Sequence, residues 1–106
     1  MVLLLSSCYD KANITVQNKV HNATLTQIKW DNYSLGYSLL PGESKENVIS
    51  DQKGKFPKRS VVKFYMKRGD NQVYLETKYA FTVYGGDNLL IVIADTTQVI
   101  NPALPQ

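Results

Sequence analysis

From Asn13 onward, apolar and polar residues alternate with a period of two rather than 3.6, the spacing of half-buried strands. Ile14, Val16 and Val20 alternate with Thr15 and Gln17. Thr26, Ile28 and Trp30 fall on one face, with Gln27 and Lys29 on the other. Tyr33, Leu35, Tyr37 and Leu39 then alternate with Ser34, Gly36 and Ser38. Pro41-Gly42 marks a turn, since Pro presets φ and Gly accepts a positive one. The stretch from Glu43 to Gly54 has the weakest pattern. A short edge strand around Asn47 to Ser50 is expected there. A helix over Ser44 to Asn47 is the alternative, but it lacks an apolar stripe.

The clearest element is a hairpin, Val61 to Lys67 and Gln72 to Lys78, around Arg68-Gly69-Asp70-Asn71. Pairing Lys67 with Gln72 sets Met66 against Val73, Phe64 against Leu75 and Val62 against Thr77 on an apolar face. Tyr65 then faces Tyr74, and Lys63 faces Glu76, on the outer side. A slip of one residue would put Lys63 and Lys67 into the core, so the register is strongly specified.

A second hairpin is expected from Tyr79 to Tyr84 and Asn88 to Ala94, around Gly85-Gly86-Asp87. Leu89 to Ala94 is apolar at all six positions, which predicts a central strand covered on both faces. Together these segments predict an all-β fold, an antiparallel β-sandwich of about seven strands, with a small barrel as the competing closure.

At 106 residues the chain has room for one core, and 43% hydrophobic and 20% charged residues are ordinary for a folded domain. One Cys excludes an intrachain disulfide and a Cys-rich zinc site. The longest apolar run, six residues, is too short for a membrane helix. Charge is unevenly placed. Lys53, Lys55, Lys58, Arg59, Lys63, Lys67 and Arg68 are seven of the twelve basic residues, and no acid lies among them. The other five cations face nine acids, so a +7 segment hides inside a net charge of +3. This segment is a candidate surface for an anionic partner such as an acidic glycan or lipid head groups. The plainer reading is a solvated face that keeps an edge strand from pairing. Tyr65 and Tyr74 are a candidate aromatic surface for sugar rings; the plainer reading is a structural cross-strand pair.

The N-terminus reads Met1-Val2-Leu3-Leu4-Leu5-Ser6-Ser7-Cys8. Leu5-Ser6-Ser7-Cys8 resembles the lipobox of bacterial lipoproteins, which reads Leu, small, small, Cys. The resemblance implies cleavage before Cys8 and its diacylation, as by palmitate. Each buried CH₂ of such a chain contributes roughly 0.8 kcal/mol, and two chains anchor stably where one is marginal. No basic residue precedes Lys11, so a complete signal would begin upstream of Met1. Residues 1–7 would then be a signal-peptide remnant, 8–12 a lipidated tether, 13–101 the domain and 102–106 a tail. The whole is similar to small bacterial envelope lipoproteins that carry an immunoglobulin-like or transthyretin-like sandwich on a lipid tether. That likeness implies a protein facing the periplasm or cell exterior, with the membrane and an envelope protein or anionic glycan as partners.

Catalytic signatures are sparse. There is no Gly-x-Ser-x-Gly, phosphate-cradling glycine loop or His-Glu-x-x-His, and the one histidine, His21, lies in a polar turn. Asp70, Asn71, Asp87, Asn88 and Asp95 fall in or near loops without calcium-loop spacing, so no metal or other cofactor is expected. Trp30 reads as core. Arg68-Gly69-Asp70 resembles the integrin-binding triplet but is also good turn chemistry. Asn13-Ile14-Thr15, Asn22-Ala23-Thr24 and Asn32-Tyr33-Ser34 fit the N-glycosylation pattern and argue against a bacterial address. No recognition helix or RNA-binding aromatic motif is visible, so nucleic acid is not an expected partner. The expectation is a non-enzymatic envelope binding or assembly module. The alternatives are a secreted carbohydrate- or host-binding module using its tyrosines, and a small hydrolase or inhibitor subunit.

Overall fold

A computed structural model describes residues 10–51 and 56–102. Cys8, Lys53, Lys55 and the last four residues of the tail lie outside the described residues. Ten strands follow in order: β1 (Asp10–Lys19), β2 (Thr24–Trp30), β3 (Tyr33–Leu39), β4 (Ser44–Asp51), β5 (Lys58–Ser60), β6 (Val62–Arg68), β7 (Asn71–Thr77), β8 (Phe81–Val83), β9 (Asn88–Ala94) and β10 (Val99–Ile100). Seven of them are seven residues or longer, and β5, β8 and β10 are short. The fold is an all-β sandwich. A three-stranded sheet, β4-β1-β9, faces a five-stranded sheet, β10-β7-β6-β2-β3, and β5 and β8 form a separate pair.

The core lies between the two sheets. Ile14 and Val16 of β1, Ile49 of β4, and Ile91 and Ile93 of β9 are buried on one side. Leu25, Ile28 and Trp30 of β2, Leu35 and Leu39 of β3, and Val62 and Phe64 of β6 are buried on the other. Trp30 is core, as its pattern predicts; its indole Nε1 donates to the Phe81 carbonyl at 3.2 Å and its ring stacks on Tyr33 at 5.9 Å.

The β6–β7 hairpin has the expected register from Lys63 opposite Glu76, through Phe64 opposite Leu75, Tyr65 opposite Tyr74 and Met66 opposite Val73, to Lys67 opposite Gln72, but Val62 meets Thr77 through the Thr77 side-chain hydroxyl rather than as a ladder pair. Pairing continues to Arg68 and Asn71, so the loop tightens to Gly69-Asp70. The ambiguous segment after Glu43 is a strand, β4, paired antiparallel with β1. Residues 10–12, expected in the tether, already pair with β4, and Ala12 is buried.

Other expectations are overturned. The second hairpin does not form. Asp87 and Tyr84 close a tight turn, but β8 then pairs with β5 and β9 crosses to the other sheet. There β9 runs parallel to β1, with Asn88 beside Asn13 and Ala94 beside Lys19, which makes the sandwich mixed rather than wholly antiparallel. Leu89 to Ala94 is accordingly an edge strand and not a central one. Its outer face is open, with Leu90 61% and Val92 39% exposed. Finally, two residues sit on the wrong side of the simple alternation. Tyr37 is 81% exposed, and Thr26 stands apart from the buried Ile28 and Trp30.

The Thr26 reversal has a local cause. Thr26 pairs with Tyr65 and Lys29 with Lys63, so Gln27 and Ile28 together oppose the single residue Phe64. This is a β-bulge, which inserts one residue and shifts the phase of the strand. Gln27 takes a φ of +50° there, a backbone conformation uncommon for a residue with a side chain.

Candidate functional site

The bulge lies on the outer face of the five-stranded sheet, and a concavity of about 400 Å³ opens beside it. Gln27 and Lys29 of β2, with Asp31 and Asn32 of the following turn, form one wall. Lys63 and Tyr65 of β6 and Tyr74 of β7 form the other. The extra residue in β2 re-aims the strand at this point, a use that bulges commonly serve beside binding sites.

Two tyrosines supply the aromatic surface. The Tyr65 and Tyr74 rings lie 5.2 Å apart at an interplanar angle of 54°, and both are half-buried rather than fully exposed. The Tyr74 hydroxyl donates to Glu76 Oε2 at 3.1 Å. Burial, that hydrogen bond, the Glu76 charge and the neighbouring Tyr65 all push the Tyr74 phenol above its ordinary value, so it remains a neutral donor at physiological pH.

Two lysines supply charge. Lys29 stands directly opposite Lys63 across the β2–β6 ladder, with Ser34 on its other side. Like charges facing each other across strands destabilise a sheet. Glu76, in register beyond Lys63, balances one of the two. Asp31 adds a carboxylate to the same wall as Lys29, its Oδ2 lying 3.0 Å from Lys58 Nζ. Partial burial pushes the Asp31 carboxyl up. The Lys58 hydrogen bond, the Asn32 backbone N–H and the charges of Lys58 and Lys63 outweigh that and hold it below its ordinary value.

The predicted cationic segment divides. Lys63 and Lys67 share the outer face of the five-stranded sheet with the tyrosines, as the alternation requires. Lys58 and Arg59 belong to the small β5–β8 pair; Lys58 also lies 5.7 Å over the Tyr33 ring, and Arg59 reaches Thr82 Oγ1 at 3.4 Å. Arg68 turns away to the hairpin tip, where Nη2 donates to the His21 carbonyl at 2.7 Å. Lys53 and Lys55, like the lipidation candidate Cys8, lie outside the described residues. Of the described basic residues, Lys29 and Lys63 line the concavity, and Lys67 follows further along the same face of β6. Lys29, Gln27 and Asn32 escaped the sequence reading as site residues. Only the outward position of Gln27 and Lys29 was visible there.

A smaller recess of about 210 Å³ lies at the hairpin end of the core, lined by Val20, Phe64, Met66, Leu75, Ile93 and Val99 among others. Its charged rim, Arg68 and Asp95, is occupied by the His21 backbone, whose N–H reaches Asp95 Oδ1 at 3.0 Å. It presents few groups to orient a ligand. Among the described residues, no three His, Cys, Asp or Glu side chains gather as a metal site, and no helix is long and apolar enough to cross a membrane. No protein-family model, curated protein or solved structure matches this chain.

Proposed function

We propose that this chain is a non-catalytic binding module of the bacterial cell envelope, held to a membrane through acylated Cys8, that captures an anionic envelope component. The observation that carries the binding role is the placement of Lys29 against Lys63 on the wall of a tyrosine-lined concavity. Two like charges set side by side, with Glu76 in register and Asp31 held by Lys58, are relieved by a bound anion. The lipobox-like Leu5-Ser6-Ser7-Cys8 supports the anchor. Tethering would then act by raising the local concentration of the domain at one surface.

Two measurements test this reading. Retention of the full chain on an immobilised anionic polysaccharide should fall as salt rises, and should be lost in Lys29→Glu/Lys63→Glu. In a bacterium expressing the chain with a complete signal, labelled palmitate should enter the protein and Cys8→Ser should abolish the label. Retention that ignores both salt and the charge reversals would refute the binding role. A wild-type protein that takes up no lipid would refute the anchor.

A further inference from the structure

We infer that the concavity between Gln27 and Tyr74 takes an acidic pyranose, a uronate unit of a polysaccharide. The inference rests on the anionic-partner reading and narrows it to one chemical class. A surface that reads charge alone needs only lysines on a convex face. This site is concave, and its volume of about 400 Å³ falls within the roughly 300–1,000 Å³ of small-ligand sites. Three kinds of group converge there. Lys29 and Lys63 line it and can pair with a carboxylate, while the one carboxylate of the lining, Asp31, is held by Lys58. The half-buried faces of Tyr65 and Tyr74 suit the apolar C–H face of a sugar ring. The amides of Gln27 and Asn32 both donate and accept, which suits ring hydroxyls. A phospholipid head group offers no ring to the tyrosines. An acidic peptide presents few hydroxyls to the amides. The left-handed backbone at Gln27 agrees with this assignment, because local strain in a strand persists where the surroundings impose it and gathers at binding sites.

The test is a titration of the isotope-labelled full chain, followed by NMR, with trigalacturonate and with triglutamate as a carboxylate-rich probe that lacks sugar rings. Trigalacturonate should shift the Gln27 and Asn32 amides and the Tyr65 and Tyr74 rings. Tyr74→Ala should weaken it by about tenfold, the worth of one aromatic contact. Tyr74→Phe, which keeps the ring, should retain the affinity and so separate lost stacking from lost folding. Triglutamate should bind more weakly and be indifferent to Tyr74→Ala.

If both probes bind equally and Tyr74→Ala changes neither, the acidic-sugar assignment is overturned while the anionic-partner reading survives. If anionic phospholipid vesicles bind and trigalacturonate does not, the assignment likewise falls and the partner is a lipid surface. If neither probe nor vesicles bind the wild-type chain, both readings fall together.

Discussion

The Asn18 side chain joins two turns of the sandwich that lie far apart in sequence, its Nδ2 donating to the Leu39 carbonyl at 2.9 Å across 21 residues. The same amide donates to the Ala23 carbonyl at 2.8 Å and, through Oδ1, accepts from the Val20 N–H at 2.9 Å. Asn18 is fully buried in β1, where an apolar residue continues the pattern of Ile14 and Val16. Asn18→Leu would strand three backbone groups, at about 1–3 kcal/mol for each that stays unsatisfied. The expected result is a loss of about 3 kcal/mol or more in urea unfolding, with secondary structure retained. A variant as stable as wild type would mean that water or a local shift satisfies those groups.

Gln27 carries the bulge with a φ of +50°. A left-handed residue costs about 1–2 kcal/mol unless it is Gly, while Gly loses more chain entropy on folding. Gln27→Gly should therefore leave stability within about 1 kcal/mol of wild type. Gln27→Val, which is β-branched, should lower it by about 1–3 kcal/mol. Equal melting temperatures for the two variants would remove the case for strain at this residue.

Asp31 gives the fold an acid-sensitive increment. Its folded carboxyl titrates below the unfolded value of about 3.9, so the unfolded chain takes up the proton first as pH falls. The stabilisation is present above the unfolded value and is lost as pH drops through the folded one. Asp31→Asn breaks the contact with Lys58 and removes the titration. Wild type should be the more stable at neutral pH, and the difference should shrink from roughly pH 5 to pH 2. A constant difference over that range would place the effect elsewhere.

Leu90 and Val92 test whether the outer face of β9 is open. Both side chains face solvent, whereas Ile91 between them is 4% exposed. Leu90→Lys and Val92→Lys should each change stability by less than about 0.5 kcal/mol. Ile91→Lys should unfold the domain or cost more than about 4 kcal/mol, because it buries an unpaired charge. If Leu90→Lys were as damaging as Ile91→Lys, β9 would be covered on both faces in solution.

Thr77 is buried at the other end of the hairpin. Its Oγ1 accepts from the Val62 N–H at 3.0 Å and donates to the Tyr79 carbonyl at 2.9 Å. Thr77→Val keeps the shape and loses both bonds, so a decrease of about 1–3 kcal/mol is expected in chemical denaturation. A neutral Thr77→Val would show that neither backbone group depends on the hydroxyl.

Local alternation by itself determined most of the long strands, the core role of Trp30 and the β6–β7 register from Lys63–Glu76 to Lys67–Gln72. A shift of one residue there would exchange Phe64 and Leu75 for Lys63 and Glu76, so the hydrophobic effect admits one pairing. The outward placement of Lys63, Tyr65 and Tyr74 followed from that register. Beyond that hairpin, tertiary structure decided which strand lies beside which. An apolar run such as Leu89 to Ala94 satisfies a central strand and a tolerated edge equally well, and only the parallel ladder with β1 made it an edge. The bulge at Gln27 was likewise invisible, because Gln carries no turn signal and the register shift arises only where β2 pairs with β3 and β6. That displacement set Lys29 against Lys63, so the concavity depends on an irregularity that no local preference encodes.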